Sequence, residues 1–253
     1  MPYVDNRGVR IHYEVEGEGP PLVLLHGLQG TLNDWRECGY VDALRGDYQL
    51  ILIDARGHGE SDKPHHTEAY RIAQRVGDIT VVLDDFDISR THFFGYSYGG
   101  RIGLEMAMWV PERIKSMIIG GMGPRIDQNI INQVRQILDA GPEAFIASLE
   151  EISPISADNM TRIMAIDYEA MAAILTSPIL DLEEDLSGMT MPFLIYLGEA
   201  DELYPSLEAK EIYGKLPDLN FFSLPGLDHL QSWSRSDLVL PHIKEFLARV
   251  SKS

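Results

Sequence analysis

The stretch THFFGYSYGGRIGLEMA, residues 91–107, sets one serine among glycines between two hydrophobic patterns. The residues before Ser97 are β-branched and aromatic, which predicts a buried strand, and the apolar residues after it recur at helical spacing. A strand that turns directly into a helix forces the residue at the turn into a strained backbone conformation, so the residues two positions away must be small. Gly95 and Gly99 occupy those positions. We therefore expect the Ser97 side chain to project from a sharp turn at the end of a strand.

Short apolar runs alternate with segments long enough for a helix along most of the chain. The N-terminal MPYVDNRGVRIHYEVEGEG alternates apolar and polar residues around a turn, which predicts an additional strand pair. The alternation is typical of a parallel sheet covered by helices. The predicted fold class is α/β, with a mostly parallel central sheet and helices on both faces. The six apolar runs are PLVLLHG, YQLILIDARG, THFFGYS, IKSMIIGG, MPFLIYLGEAD and LNFFSLPG.

The alternation is interrupted between residues 124 and 189, where helical periodicity continues without a convincing buried strand. We interpret this region as a helical insertion into a core formed by residues 1–123 and 190–253. It carries more apolar residues than short helices bury among themselves, so some either line a pocket or pack on the main core. Met164 and Met171 are the candidate pocket residues in this insertion.

The composition excludes several classes of protein. The chain has 253 residues, and its 39 acidic and 21 basic side chains give a net charge of −18, which repels phosphate backbones and anionic lipid headgroups. No apolar run approaches the roughly 20 residues needed to cross a bilayer. We expect no nucleic-acid partner and no membrane partner. The N-terminus lacks the basic-then-apolar profile of a signal peptide, which predicts a cytoplasmic location.

Cys38 is the only cysteine, so the chain has no intrachain disulfide and no cysteine metal cluster. No residue pattern indicates a metal site or an organic cofactor, and we expect neither. The oligomeric state stays open.

A serine hydroxyl is a poor nucleophile unless a histidine accepts its proton and a carboxylate orients that histidine. His229, in LPGLDHLQSW, follows the last predicted strand, and Asp201, in YLGEADELYP, follows an earlier one. Both would then lie at the same sheet edge as Ser97. Asp228 and Glu199 are alternative acids, and Asp201 as a helix N-cap is the structural alternative.

With these residues located, the chain resembles the α/β-hydrolase superfamily over essentially its whole length. The matching stretches are HGLQG, DARGHGESDKP, GYSYGG and the pair GEAD and GLDH. The order serine, acid, histidine is the one associated with this fold. More narrowly, the chain resembles serine carboxylesterases and lactonases with a small helical cap, which makes the insertion a cap over the site. These motifs are specific for the fold and weakly specific for the substrate.

The resemblance also implies roles for the neighbouring residues. The backbone N–H groups of Leu28 and Tyr98 would form the oxyanion hole. The DARGHGESDKP segment would be scaffold, with Ser61 no rival nucleophile, and His26 would be structural. Trp35 and Tyr96 would contact substrate or, as the alternative, belong to the core.

The implied reaction is acyl transfer to water, in which Ser97 attacks an ester carbonyl, His229 moves the proton and Asp201 holds the histidine. The expected substrate is a small, apolar ester or lactone. An aspartate nucleophile is typical of dehalogenases and epoxide hydrolases of this fold, so Ser97 disfavours both.

Several alternatives use the same triad. They are an enol-lactonase, a perhydrolase and a carbon–carbon bond hydrolase, the last of which needs a cation to bind a substrate carboxylate. The alternative of another class is a small-molecule receptor on a hydrolase fold. The candidate cations are Arg36, Arg125, Arg135 and Arg162.

Overall fold

The structure is a computed structural model that describes residues 2–125, 128–150, 157–178 and 186–251. Within these ranges the strands are β1 (Tyr3–Asn6), β2 (Val9–Glu16), β3 (Pro21–Leu25), β4 (Gln49–Ile53), β5 (Thr91–Tyr96), β6 (Ile114–Gly120), β7 (Phe193–Gly198) and β8 (Leu219–Leu224). The helices are α1 (Asp34–Glu37), α2 (Tyr40–Leu44), α3 (Ile72–Asp85), α4 (Tyr98–Trp109), α5 (Gln128–Asp139), α6 (Pro142–Glu150), α7 (Ala157–Met164), α8 (Tyr168–Thr176), α9 (Ser206–Tyr213), α10 (His229–Ser234) and α11 (Ser236–Val250). Short 3₁₀ turns cover Thr67–Tyr70, Pro111–Arg113 and Leu186–Gly188.

The described strands form one sheet in the order β1-β2-β4-β3-β5-β6-β7-β8. The pairs β1 with β2 and β2 with β4 are antiparallel, and every other pair is parallel. The predicted α/β fold class is thereby confirmed. Because β5, β7 and β8 run parallel, their carboxyl ends lie at one edge of the sheet, where the loops after them meet.

The predicted strand pair at the N-terminus is a hairpin with a two-residue turn. Asn6 pairs with Val9, and the intervening Arg7 and Gly8 have φ values of +56° and +86°. Positive φ at both central residues defines the type I′ turn, whose twist matches that of the flanking strands. The Gly8 amide also donates to the Asp5 carboxylate at 3.0 Å.

The central strands are buried on both faces, which explains their continuous apolar sequences. Along β3, Val23 and Leu25 enter the core on one face and Leu22 and Leu24 enter the core on the other. Helices α3, α4 and α9 cover the first face, and α1, α2 and α11 cover the second. Each fully buried aliphatic side chain contributes about 1.5–3 kcal/mol, so both layers hold the sheet in place.

The described residues between β6 and β7 form α5 to α8 and one 3₁₀ turn. Helices α5 to α8 form a separate apolar cluster with the turn at residues 67–70, which we call the insertion cluster, whereas Leu186 of the 3₁₀ turn packs into the main core. The predicted limits of the insertion, residues 124 and 189, stay a prediction, and residues 126–127, 151–156 and 179–185 of it lie outside the described ranges. The buried members of the insertion cluster are Ala69, Tyr70, Leu138, Phe145, Ile163, Ala170, Met171, Ala173 and Ile174.

Helices long and apolar enough to cross a membrane are absent from the described ranges.

Candidate active site

Ser97 occupies the turn between β5 and α4. Its φ and ψ are +49° and −113°, a combination that non-glycine residues rarely adopt. Its backbone N–H donates to the Gly120 carbonyl on β6 at 2.8 Å, which ties the turn to the sheet. A Cβ atom added to Gly99 would lie 2.0 Å from the Leu25 carbonyl oxygen, and one added to Gly95 would lie 2.4 Å from the Gly99 backbone. The turn therefore requires glycine on both sides of Ser97.

Ser97, His229 and Asp201 form a continuous chain of hydrogen bonds. Ser97 Oγ lies 3.0 Å from His229 Nε2, and His229 Nδ1 lies 2.8 Å from Asp201 Oδ2. The Asp201 side chain is fully buried, whereas the His229 side chain retains 17% exposure. A carboxylate at Nδ1 selects the tautomer with its proton there, which leaves Nε2 free to accept the Ser97 proton.

Backbone amides hold the second carboxylate oxygen of Asp201. Its Oδ1 accepts from the amides of Leu203 at 3.0 Å and Tyr204 at 3.2 Å. An aspartate that accepts from amides two and three residues ahead forms a local turn, and such a turn is a signal that the sequence DELY carries. The turn directs Oδ2 toward His229.

The alternative acids have other partners. Asp228 is the N-cap of α10, where its carboxylate accepts from the Gln231 amide at 2.7 Å while the Gln231 side chain accepts from the Asp228 amide. Glu199 is exposed and accepts from the Ser223 hydroxyl at 2.7 Å. Asp201 is the carboxylate that contacts His229.

The loop after β3 lies against Ser97. A Cβ atom added to Gly27 would come 3.4 Å from the Ser97 Cβ, which places the following Leu28 beside the turn. Tyr98 is the first residue of α4, so its backbone N–H has no acceptor within the helix. Both predicted oxyanion donors thus belong to segments that border Ser97.

The sequence of the chain matches a known family in the same region that carries the Ser97 turn. A family described as alpha/beta hydrolase fold matches residues 20–139, which include β3, β4, β5 and the Ser97 turn. The chain belongs to the α/β-hydrolase superfamily. The family predicted from the sequence motifs is confirmed.

Relatives of this α/β-hydrolase match it over nearly its full length. It is 27% identical, over 95% of its own length and 96% of the relative's, to a Bacillus subtilis protein provisionally named 2-succinyl-6-hydroxy-2,4-cyclohexadiene-1-carboxylate synthase. The crystal structure of an enol-lactonase from Burkholderia xenovorans superposes with a TM-score of 0.85 at 24% identity, covering 98% of this chain and 100% of that one. A thermophilic esterase from Thermogutta terrifontis superposes with a TM-score of 0.83 at 21% identity, covering 99% of each chain. The two structural likenesses show the fold, and the comparisons together support a hydrolase.

The DARGHGESDKP segment of the α/β-hydrolase is built around Asp54. Its carboxylate accepts from the Leu32 amide at 2.8 Å and the Glu60 amide at 3.0 Å, and it lies 2.8 Å from His12 Nδ1. Burial alone would raise the pKa of Asp54, but His26, the Glu60 amide and His12 together lower it. The segment thus folds around a buried carboxylate, and this geometry fits the scaffold role expected for it.

Ser61, the serine of the DARGHGESDKP segment, is 1% exposed. Its hydroxyl donates to the Asp54 carbonyl at 2.6 Å and accepts from the His12 amide at 2.8 Å. A side chain held in this way has no access to a substrate, so the placement agrees with its exclusion as a nucleophile.

The histidines near the turn other than His229 are deeply buried. His26 Nε2 accepts from the Ala55 amide at 3.2 Å, and its Nδ1 lies 2.8 Å from the Gly27 carbonyl. Burial, followed by the proximity of His26, lowers the pKa of His58 to about 3, so His58 is neutral at physiological pH. The two rings lie 5.0 Å apart and join the loops after β3 and β4, which are on the same side of β5.

Two of the four candidate pocket residues are placed away from a substrate surface. Trp35 is fully buried, and its ring meets those of Phe94 and Trp233 edge-on at 4.6 Å each, so the prediction of a substrate contact is corrected to a core position. Met171 is 1% exposed within the insertion cluster, which makes it a packing residue of α8. Met164 is 52% exposed at the end of α7.

Tyr96, the fourth candidate, is 4% exposed and contacts the histidine. Its hydroxyl donates to the backbone carbonyl of His229, and the two rings lie 5.4 Å apart. The two residues are 133 positions apart in sequence, so no local pattern indicates this contact.

Clusters of three or more histidine, cysteine, aspartate or glutamate side chains arranged to hold a metal ion are absent from the part of the chain that the structure describes.

Proposed function

We propose that this α/β-hydrolase is a serine hydrolase that cleaves carboxylic ester bonds of small, apolar substrates through an acyl-enzyme on Ser97. The observation that carries the proposal is the hydrogen-bonded chain from Ser97 through His229 to Asp201 at a strained strand-to-helix turn. This arrangement supports nucleophilic catalysis, which needs a base to accept the serine proton and a carboxylate to orient that base.

The reaction begins with Ser97 Oγ attacking the ester carbonyl carbon while its proton passes to His229 Nε2. The carbonyl oxygen becomes an oxyanion, which the N–H groups of Leu28 and Tyr98 stabilise, each donor contributing roughly 3–4 kcal/mol. His229 then protonates the departing alcohol as the carbon–oxygen bond breaks. Asp201 stabilises the imidazolium in between.

Water completes the cycle. His229 Nε2 accepts a proton from a water molecule that attacks the acyl carbon, and it returns that proton to Ser97 Oγ as the acid is released. The protein's own groups supply every proton transfer in this scheme.

The surroundings of Ser97 support an apolar acyl group. Leu28 and Tyr98 are partly buried and pack against the insertion cluster, so the two residues that provide the oxyanion donors also border apolar side chains. An acyl chain that approaches Ser97 from this side meets hydrophobic contacts.

The candidate cations support a neutral substrate. A carbon–carbon bond hydrolase would need one of them to bind a substrate carboxylate, but each already contacts a carboxylate of the protein. Recruitment of any of them to substrate would disrupt an existing ion pair. Arg36 contacts Glu14 and Glu16, Arg125 contacts Glu208, Arg135 contacts Asp139, and Arg162 contacts Asp34 and Glu37.

The test is steady-state hydrolysis of p-nitrophenyl acetate, butyrate and octanoate by wild type and Ser97→Ala, with Ser251→Ala as the matched control. Ser251 is an exposed serine near the C-terminus. Wild type and Ser251→Ala should turn over the esters, and Ser97→Ala should lose at least about 10³-fold in kcat. Equal activity of Ser97→Ala and wild type would remove Ser97 as the nucleophile.

An enol-lactonase would use the same nucleophile as an esterase, so the two functions are distinguished by their substrates. The structural likeness to an enol-lactonase is the reason to add an enol-lactone to the panel. A kcat/KM for the enol-lactone far above that of every ester would assign lactone cleavage as the function. Absence of turnover on every member would move the carbon–carbon hydrolase and receptor alternatives ahead.

A further inference from the structure

Tyr96 lies at the junction of the nucleophile and the base. It is the last residue of β5, directly before Ser97, and its ring enters the core on the face covered by α11. The ring lies 4.8 Å from that of Trp233 and 5.4 Å from that of His229. Gly121 makes room for it, because a Cβ atom there would come 2.4 Å from Tyr96 Cζ.

Two tyrosine hydroxyls hold α10, the short helix that begins with His229. Tyr96 Oη donates to the His229 carbonyl in the first turn, and Tyr40 Oη donates to the Trp233 carbonyl in the last turn at 3.0 Å. Burial, aided by the charge of Asp201, keeps the pKa of Tyr96 well above its usual range, so the hydroxyl remains a donor. Helix α10 is therefore fixed at both ends from the core.

The two contacts differ in what they control. Tyr40 holds the end of α10 that is distant from the reacting atoms, whereas Tyr96 holds the backbone of the base itself. Asp201 orients the His229 ring through Nδ1, but the position of that ring also depends on the position of the His229 backbone. Because Tyr96 and Ser97 are consecutive, a single strand end sets the positions of both the nucleophile and the base.

We infer that Tyr96 is a positioning residue for His229. The Tyr96 hydroxyl fixes the distance between His229 Nε2 and Ser97 Oγ by holding the His229 backbone. This inference rests on the proposed function of Ser97 and His229. A positioning role stands in place of the substrate contact considered from the sequence, because the Tyr96 side chain is 4% exposed and its hydroxyl already donates to the His229 carbonyl.

The experiment compares Tyr96→Phe with Tyr40→Phe. Each variant removes one buried hydroxyl that donates to a carbonyl of α10, so the two midpoints of thermal unfolding should fall by similar amounts. Only Tyr96→Phe should lower kcat, by roughly tenfold, because a small displacement of a catalytic group is costly, and KM should not change.

A second measurement is the rate at which a fluorophosphonate labels Ser97, which needs the base but no ester turnover. Tyr96→Phe should label about tenfold more slowly than wild type, and Tyr40→Phe at the wild-type rate. Equal labelling rates and equal kcat in the two variants would overturn the inference, as would a raised KM at unchanged kcat in Tyr96→Phe.

Failure of the proposed function is distinguishable from failure of the inference. If wild type is labelled but hydrolyses no ester, the ester proposal fails and the relative labelling rates still decide the role of Tyr96. If Ser97 of wild type is not labelled at all, both are overturned.

Discussion

At the scale of single residues, the site depends on which carboxylate faces His229. Asp201 and Asp228 both lie in loops at the carboxyl edge of the sheet, yet one accepts from His229 Nδ1 and the other caps α10. The difference follows from local hydrogen bonds. The amides of Leu203 and Tyr204 orient Asp201, and the Gln231 amide occupies Asp228.

Substitution of the two aspartates by asparagine separates their roles. Asp201→Asn should retain the fold but lower kcat by roughly 10³- to 10⁴-fold, because an amide at Nδ1 favours the wrong histidine tautomer. Asp228→Asn should retain activity, because asparagine caps helices about as well as aspartate. Kinetics on p-nitrophenyl butyrate and thermal unfolding measure both. A loss of kcat in Asp228→Asn as large as in Asp201→Asn would contradict the assignment of the acid.

At the scale of elements, charged side chains join the insertion helices to the core on two sides. Arg162 of α7 contacts Asp34 and Glu37 of α1, with 3.0 Å to Glu37. His65, in the loop after β4, lies 3.0 Å from Asp167 at the start of α8 and 3.0 Å from Glu169. These contacts involve exposed groups, so each contributes little to global stability, but together they affect how firmly α7 and α8 are held.

The contact of His65 predicts a pH-dependent α8. The hydrogen bond to Asp167, with the charges of Asp167 and Glu169, raises the pKa of His65 above 6.5. A raised folded-state pKa means that the stabilisation is fully present below the ordinary pKa of histidine and is lost as the pH rises through the raised value. After correction for intrinsic rates, hydrogen exchange of α8 should therefore be faster at about pH 8.5 than at about pH 5.5.

Two variants control this prediction. His65→Gln should abolish the pH difference in α8, and Arg162→Gln should loosen α7 while leaving the pH difference in α8 intact. Persistence of the full pH difference in His65→Gln would show that another group governs α8.

At the scale of the whole molecule, the net charge of −18 should slow the association of negatively charged substrates. The chain should discriminate against anionic esters, since the field repels them and the four candidate arginines are already paired. The kcat/KM for mono-p-nitrophenyl adipate should be lower than that for p-nitrophenyl hexanoate at low salt. The ratio of the adipate value to the hexanoate value should rise at about 0.5 M NaCl, where the Debye length falls to a few ångströms, but should stay below one because burial of an unpaired carboxylate is still unfavourable. A preference for the anion at any salt concentration would point to an unassigned cation at the site.

The sequence by itself determined the sheet, the turn and the order of the catalytic candidates. These are local features, and the physical requirements of strands and tight turns make them predictable from the sequence. They comprise the continuous apolar strands PLVLL and FLIYLG, the glycines at 95 and 99, and the loops that carry Asp201 and His229. Even the amide contacts of Asp201 follow a local turn pattern.

Only the tertiary structure decided which side chains of separate elements contact one another. Whether Trp35 contacts substrate or the core depends on Phe94 and Trp233, and the contact of Tyr96 with His229 joins residues far apart in sequence. The same holds for Met164 and Met171, which share an apolar pattern but are 52% and 1% exposed. Periodicity shows that a residue is apolar, whereas its neighbours in space depend on how separate elements pack, and that information is distributed over the whole chain.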